Sequence, residues 1–210
     1  TLYAATDTSV YKSVDGGSSW HLSADGLLLE LEVNSIVVNP LSPSNVYAAT
    51  AEGVYKSSNG GASWLLMPNT DLKYFESLAI DPVTPSTLYA TDGDGNAYRV
   101  KQGGNWTQKN GGLGSYPGAN FVALDPSNPS IAWLGESGGV WKATDASGNL
   151  AWTETSTGLP ANSSVGTLAV HPAGQVVLGG DSFGDGLYRT SNAGGAWTRA
   201  NSGRSEEHTS

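Results

Sequence analysis

Short apolar segments alternate with polar turns along the whole chain. In the stretch Val33–Leu66, the apolar segments are rich in β-branched and aromatic residues, and the turns between them contain Pro, Ser, Asn and Gly. Each segment predicts one short β-strand, because proline cannot continue a ladder and the turn residues interrupt it. No segment keeps an apolar period of about 3.6 residues between helix caps, so we expect almost no helix. The predicted strands of this stretch are 34–38, 46–50, 54–57 and 63–66.

The pattern repeats every 42–46 residues. Its clearest marker is a ten-residue stretch, here called the decad, which reads YKSVDGGSSW at Tyr11–Trp20 and returns as YKSSNGGASW at Tyr55–Trp64 and YRTSNAGGAW at Tyr188–Trp197. Two weaker copies are YRVKQGGNW at Tyr98–Trp106 and WKATDASGNLAW at Trp141–Trp152. A period in the low to mid forties that carries about four strands is typical of propeller blades.

We therefore predict an all-β propeller of four-stranded antiparallel blades over residues 1–203. The first repeat contains only three strands, because Thr1 begins inside a second strand. We expect an incomplete arc of a larger propeller, about five blades' worth, whose missing blades belong to the same chain. Residues 204–210, RSEEHTS, break the pattern and are interpreted as a non-native or disordered tail. The predicted blades lie near 1–23, 33–66, 75–108, 119–155 and 165–200.

The residues of the decad have a structural interpretation. Ser13 and Asp15 flank the turn, where their side chains can bond turn amides, and Gly17 supplies a positive φ. Trp20 then covers the hairpin and fills the wedge between neighbouring sheets. We therefore interpret these positions as structural and not catalytic. They are Ser13, Asp15, Gly17, Trp20, Ser57, Asn59, Gly61, Trp64, Trp106, Asp145, Trp152, Asn192, Gly194 and Trp197.

The stretch SVDGGSSW at residues 13–20 resembles the Asp-box, or BNR, repeat S-x-D-x-G-x-[ST]-W. This repeat occurs in sialidases, sortilin-type receptors, xyloglucan-degrading endoglucanases and a photosystem assembly factor. The second decad departs from it by Asn59, the third is one residue short, and the fourth has two extra residues around Asp145. The resemblance covers residues 1–200 and implies the propeller fold. It does not choose between a hydrolase and a receptor.

The formal net charge is −9, and the chain contains no cysteine. An acidic chain is not expected to bind nucleic acid or an anionic membrane. No apolar run is long enough to insert into a membrane, and the absence of cysteine excludes disulfides and thiol chemistry. The sequence contains no signal peptide, and we expect an extracellular or periplasmic location.

In propellers of this kind, ligands meet the loops that join the second strand to the third and the fourth strand to the next blade. Every second-to-third loop of this chain carries acid. One hypothesis is a ring of carboxylates that binds a cation or a sugar, or supplies a pair for glycoside hydrolysis. The alternative is that polar turns of an acidic protein simply carry acids. The loop acids are Asp7, Glu52, Asp92, Asp94, Glu136, Asp181 and Asp185.

Two loops show sharper signals. Asp92, Asp94 and Asn96, separated by glycines, resemble the beginning of a Ca²⁺ loop, although the position of its distal glutamate is Gly103. Calcium is the one cofactor that the sequence suggests. Tyr74 and Tyr116 lie on loops that lead into inner strands and are candidates for stacking on a sugar ring.

The remaining chemistry is sparse. Arg99 and Arg189 occupy a repeat position held elsewhere by lysine, so they do not form the arginine triad of a sialidase. Three scattered histidines provide neither a zinc site nor a catalytic triad. We therefore predict a non-catalytic binding or scaffold module that recognises a glycan or a protein. The alternative is a glycoside hydrolase that resembles the xyloglucan-cleaving members of the family.

Overall fold

The computed structural model describes residues 1–101, 103–113, 118–145, 150–161, 163–173, 177–181 and 186–202, with only the backbone described for 177, 178 and 181. Strands and turns account for the secondary structure, and the described ranges contain no helix. Accordingly, no helix in these ranges could span a membrane. The 19 strands found in the described ranges form five antiparallel sheets.

The sheets follow one another along the chain. Sheet 1 consists of β1 (Leu2–Ala5), β2 (Val10–Ser13) and β3 (His21–Leu22). Sheet 2 consists of β4 (Val33–Val38), β5 (Val46–Thr50), β6 (Gly53–Ser57) and β7 (Leu65–Leu66). Sheet 3 consists of β8 (Phe75–Ile80), β9 (Thr87–Asp92), β10 (Ala97–Lys101) and β11 (Thr107–Gln108). Sheet 4 consists of β12 (Ala119–Leu124), β13 (Ile131–Glu136), β14 (Gly139–Thr144) and β15 (Ala151–Glu154). Sheet 5 consists of β16 (Val165–Val170), β17 (Val177–Asp181), β18 (Leu187–Thr190) and β19 (Thr198–Arg199).

Each sheet is a meander in which every strand pairs with the next one along the chain. The first strands of sheets 2 to 5 are the inner ones, and β4, β8, β12 and β16 pack against one another in that order. In sheet 1, Tyr3 pairs with Lys12 as Tyr47 pairs with Lys56 in sheet 2. The strands of sheet 1 are therefore equivalent to the second, third and fourth strands of the other sheets.

The outer strand of sheet 2 is shorter than the alternation of residues predicts. The predicted strand 63–66 is reduced to β7, Leu65–Leu66. The backbone N–H of Trp64 bonds the carbonyl of Asp25, in the connection that follows sheet 1, at 2.8 Å. The tryptophan positions of sheets 4 and 5 make the same bond to Gly111 and Thr157.

The core lies between the sheets. Phe75 of β8 packs edge-on against Tyr98, with ring centroids 5.6 Å apart, and against Trp106 at 6.0 Å. Tyr47 and Ala49 of sheet 2 belong to the same buried cluster. Small residues on the second strand let the next sheet approach closely, which is how such narrow sheets bury large aromatic rings.

All four inner strands have a β-bulge at their second residue. In β4 the pairing skips from Val33 to Ser35, and β8, β12 and β16 shift at the same point. A bulge leaves its residue unpaired and turns its side chain away from the regular alternation. The bulged residues are Asn34, Glu76, Asn120 and Gly166.

Candidate functional site

Two side chains close the turn of the first decad. Ser13 Oγ donates to Asp15 Oδ1 at 2.7 Å and accepts from the N–H of Gly17 at 2.8 Å. Asp15 also accepts from the backbone N–H and the hydroxyl of Ser19, at 3.0 and 2.6 Å. The bonds from Ser19, together with the Ser13 hydroxyl, hold the pKa of Asp15 well below its usual range. These groups are engaged within the turn itself.

Asparagine performs the same task in the second and fifth decads. Ser57 Oγ donates to Asn59 Oδ1 at 2.9 Å, and Thr190 Oγ1 donates to Asn192 Oδ1 at 2.7 Å. The turn therefore needs an oxygen acceptor at this position, and the negative charge of aspartate is not required. The glycine amides that bond these hydroxyls are those of Gly61 and Gly194.

The tryptophans that close the decads connect neighbouring sheets. Trp64, Trp152 and Trp197 are buried, and each donates its indole N–H to a backbone carbonyl of the preceding sheet. Trp106 is also buried, whereas 41% of Trp20 is exposed. The acceptor carbonyls are those of Ser23, Lys109 and Thr155, at 2.8, 2.7 and 2.5 Å.

Asp145 of the fourth decad reaches out to sheet 3. Its carboxylate lies 2.7 Å from the buried guanidinium of Arg99 and 2.6 Å from the ammonium of Lys101. Burial alone would raise the pKa of Asp145, but the hydrogen bonds and charges of Lys101 and Arg99 outweigh it and lower that pKa. This aspartate therefore links two sheets by an ion pair.

The loop acids differ in their exposure. Asp7 and Asp94 are exposed, and Glu52 is half-buried. The pKa of Tyr55 is raised mainly by burial and secondly by the charge of Glu52. Asp185 and Tyr116 lie outside the described residues, as does the side chain of Asp181. Of the candidates, Asp92 and Tyr74 come together, whereas Glu136 lies on another sheet.

Asp92, Asp94 and Asn96 form a hydrogen-bonded turn. Asp92 Oδ1 accepts from the N–H of Asp94 at 3.1 Å and of Asn96 at 2.8 Å, and the Asn96 amide group bonds both of its oxygens. A cation would have to displace these donors. Within the described ranges, no three acidic or histidine side chains are grouped to hold a metal ion. Calcium stays a prediction.

An exposed tyrosine and several polar groups gather where sheets 2 and 3 meet. We call Glu32, Asn34, Tyr74, Glu76 and Asp92 the Tyr74 cluster. The Tyr74 hydroxyl donates to Glu32 Oε1 at 3.0 Å, and the backbone carbonyl of Tyr74 accepts from the N–H of Gly93 at 2.8 Å. The ring lies against Gly93, where an added Cβ would come 3.0 Å from it. The ring is thus fixed in place while 39% of the residue stays exposed.

Glu76 is the member that sequence reasoning missed. It is the bulged residue of β8, half-buried, and burial followed by the charge of Asp92 raises its pKa. Asn34, at the same position of β4, donates to the carbonyl of Phe75 at 3.0 Å. A polar residue at the second position of successive inner strands was the available signal, but it predicts a site only once the bulge is known.

Glu136 is a second carboxyl group with an unusual environment. Only 7% of the residue is exposed, and Oε1 accepts from the N–H of Gly118 at 2.9 Å. Oε2 has no hydrogen-bond partner in the described part of the chain. Burial, and then the charge of Glu154, raises the pKa of Glu136 against the opposing effects of Gly118 and the Trp141 indole. This buried carboxyl group with a raised pKa is held at the end of β13.

No protein-family model matches the sequence, and neither does any curated protein. Solved structures do match. An ancestral GH74 enzyme is 24% identical with a TM-score of 0.79, over 95% of this chain and 29% of that one. The GH74 xyloglucanase from Xanthomonas campestris is 15% identical with a TM-score of 0.73, over 93% and 36% of the two chains. The extracellular domain of a protein described as a one-component system of B. thetaiotaomicron is 15% identical with a TM-score of 0.72, over 94% and 26%.

The fold is a β-propeller. The five sheets are its blades, and the predicted all-β architecture of four-stranded antiparallel blades is confirmed. The chain spans between 26% and 36% of the length of these three structures. The Tyr74 cluster lies between blades 2 and 3. It is at the end of the blades where the inner strands begin and where the loops between the second and third strands lie.

Proposed function

We propose that the chain is a non-catalytic binding module of a propeller protein and that the Tyr74 cluster is its glycan site. The observation that supports this proposal is an exposed aromatic ring on a loop, held by a hydrogen bond to Glu32 over two packed blades. Ligand sites of this kind combine an apolar surface with a few fixed polar groups. A protein ligand is the alternative form of the same proposal.

The chemistry of the cluster suits a neutral sugar. The exposed face of Tyr74 can pack on the apolar C–H face of a pyranose ring, and Glu32 and Glu76 can accept hydrogen bonds from sugar hydroxyls. The formal net charge of −9 disfavours an anionic glycan. We therefore name neutral polysaccharides as the ligand class.

The structural neighbours support the proposal without deciding it. Two of them are GH74 enzymes, one named as a xyloglucanase, and the third is an extracellular domain. Binding of a polysaccharide would place this chain outside the cytoplasm, and we include an extracellular or periplasmic location in the proposal. Members of one fold differ in function, so the site must be tested directly.

The test is a calorimetric titration of the protein with xyloglucan and cello-oligosaccharides. We expect Tyr74→Ala to weaken binding at least about tenfold, because the aromatic ring supplies the surface on which the sugar packs. Tyr74→Phe keeps the ring and loses only the hydroxyl with its bond to Glu32, so its effect should be smaller. Tyr11→Ala is the matched control, because Tyr11 is 36% exposed on blade 1. Equal binding by Tyr74→Ala and the native protein would overturn the glycan site, and a lack of any oligosaccharide binding would leave the protein-ligand form.

Glycoside hydrolysis is the second candidate function. The observation in its favour is that Glu76 and Glu136 both have raised pKa values, as a general acid requires. Asp92, the carboxylate beside Glu76, is already bonded by the turn, which argues against it as a nucleophile. The measurement is the release of reducing ends from xyloglucan by the native protein and by Glu76→Gln and Glu136→Gln. If the native protein releases none, the hydrolase candidate is excluded for this chain.

A further inference from the structure

The bulges of the inner strands form a row across the blades. Each inner strand of blades 2 to 5 has its bulge at the second residue, so the bulged residues occupy one level of the fold. Because these strands pack against one another in chain order, bulged residues of successive blades are neighbours. In that order they are Asn34, Glu76, Asn120 and Gly166. Polar side chains therefore occupy three successive positions, and the row ends at a glycine.

Two hydrogen bonds bring Glu76 and Asn120 to the same junction, between blades 3 and 4. Thr91 pairs with Ser77, the residue after Glu76, and its hydroxyl donates to the backbone carbonyl of Asn120 at 3.3 Å. Ser77 Oγ accepts the N–H of Val122, two residues after Asn120, at 3.3 Å. Packed sheets lie about 10 Å apart. One ligand that is longer than a single sugar ring can therefore reach both side chains.

The side chains of Glu76 and Asn120 are available to a ligand. Both residues are half-buried, and within the described ranges neither side chain makes a hydrogen bond. Asn34 differs from them, because its amide N–H donates to the carbonyl of Phe75 at 3.0 Å. Glu76 and Asn120 stand on strands whose backbone is fixed, which reduces the cost of ordering the site when a ligand binds.

These two groups are complementary to sugar hydroxyls. An ionised Glu76 only accepts hydrogen bonds, whereas the amide of Asn120 offers an oxygen acceptor and two N–H donors. A hydroxyl group both donates and accepts, so successive hydroxyls of a sugar chain can use both side chains. Asp92 lies close enough for its charge to act on Glu76, and the two acids together disfavour an anionic ligand.

Tyr74 stands at the beginning of the same line. It lies two residues before Glu76, at the junction of blades 2 and 3, and its ring rests against Gly93. The line then passes Glu76 and reaches Asn120 at the junction of blades 3 and 4. At blade 5 the equivalent position is Gly166, which has no side chain to offer. The line therefore crosses two junctions between blades that both lie inside the arc.

We propose that the ligand of the Tyr74 cluster is an oligosaccharide chain and that Asn120 binds a sugar unit beyond the one that packs on Tyr74. This inference rests on the proposed glycan function and adds to it a second subsite, formed by Glu76 and Asn120. The site then recognises an extended stretch of a neutral polysaccharide and not a single sugar. Tyr74 contributes to the binding of ligands of every length, whereas Asn120 contributes only to that of long ones.

The test is a calorimetric titration with cellobiose and with cellohexaose, a short and a long member of one neutral series. We expect the native protein to bind cellohexaose more tightly than cellobiose. Asn120→Ala should weaken the binding of cellohexaose about threefold to tenfold, as expected for the loss of one hydrogen bond to the ligand. It should leave the binding of cellobiose unchanged. Tyr74→Ala should weaken the binding of both.

Two further variants make the result specific. Asn120→Asp keeps the size of the side chain but removes both N–H donors, so it should also weaken the binding of cellohexaose. Asn128→Ala is the matched control, because Asn128 is an exposed asparagine of the same blade, in the turn after β12. It should bind both oligosaccharides like the native protein. Thermal melting of each variant reports whether it remains folded.

The outcomes separate the second subsite from the glycan site itself. If both Asn120 variants keep the native affinity for cellohexaose while Tyr74→Ala weakens the binding of cellobiose, the second subsite is wrong and the Tyr74 site stands. The second subsite is also overturned if Asn120→Ala weakens the binding of both oligosaccharides equally, or if the native protein binds the two alike. A native protein that binds neither oligosaccharide would overturn the glycan function and this inference with it.

Discussion

The indole N–H of Trp64 donates a 2.8 Å hydrogen bond to the carbonyl of Ser23, which belongs to the preceding blade. This residue closes its own hairpin in the sequence, but its side chain and its backbone N–H both bond the neighbour. The stability of the hairpin and the packing of blade 2 against blade 1 therefore depend on the same residue. Gly26 lies so close to the Trp64 carbonyl that a Cβ at that position would collide with it.

Removal of a closing tryptophan should cost more stability the more deeply the residue is buried. We expect Trp64→Ala to lower the free energy of unfolding by about 3–5 kcal/mol, through loss of buried surface and the creation of a cavity. Trp20→Ala should cost less than about 1 kcal/mol, because 41% of Trp20 is exposed. Urea unfolding at low protein concentration measures both, and equal losses would contradict the inter-blade role of Trp64.

Ala193 adopts a positive φ of 55° in the turn of the fifth decad. The equivalent residues Gly16 and Gly60 have φ values of 76° and 68°. Left-handed geometry costs a non-glycine residue about 1–2 kcal/mol, whereas glycine adds about 0.4–1 kcal/mol of unfolded-state entropy. We expect Ala193→Gly to stabilise the protein by up to about 1 kcal/mol. Thermal melting would show a higher midpoint, and Ala196→Gly in the same turn is the control that should not gain.

The repeat allowed the architecture to be predicted from the sequence. Tryptophans spaced 42–46 residues apart, with turns of Pro, Gly, Asn and Asp between short apolar segments, indicate blades because each marker recurs at the same place in a four-stranded unit. The turn residues were also predictable. Ser13 and Asp15 act on amides within four residues, and local bonds of this kind depend little on distant parts of the chain.

The candidate site was less predictable because it depends on neighbours far apart in sequence. Glu76 looks like an ordinary strand residue until the bulge of β8 breaks the alternation. Tyr74 was found from its loop, but its partner Glu32 is 42 residues away. Asp145 matched a turn position, yet a cation 46 residues earlier binds it. A pattern within one repeat does not contain these contacts between blades.

Asp15 should make the first decad sensitive to acid. Its folded-state pKa is lowered, so its ionised form adds stability that is present above the unfolded value of about 3.9 and is lost as the pH falls toward the folded value. Asp15→Asn should retain the turn, because Asn59 does so in blade 2. We expect the native protein to be the more stable of the two at pH 7 and the difference to shrink progressively as the pH falls below about 4. A difference independent of pH, measured by urea unfolding, would contradict this role of the charge.

Glu136 should have the opposite pH dependence. Its folded-state pKa is raised, so the folded protein binds the proton more tightly than the unfolded chain does. This contribution to stability is complete below the unfolded value of about 4.3 and is lost as the pH rises through the folded value. Glu136→Gln cannot ionise, and its side-chain oxygen can still accept from the N–H of Gly118. We expect it to match the native protein near pH 4 and to be more stable at pH 7.5.

Two other substitutions act as controls. Glu154→Gln should give a smaller gain in stability of the same sign, because it removes only the charge beside Glu136. Glu30→Gln removes an exposed glutamate elsewhere and should give no gain. A native protein whose melting temperature follows that of Glu136→Gln across this range would show that Glu136 does not titrate as its burial requires.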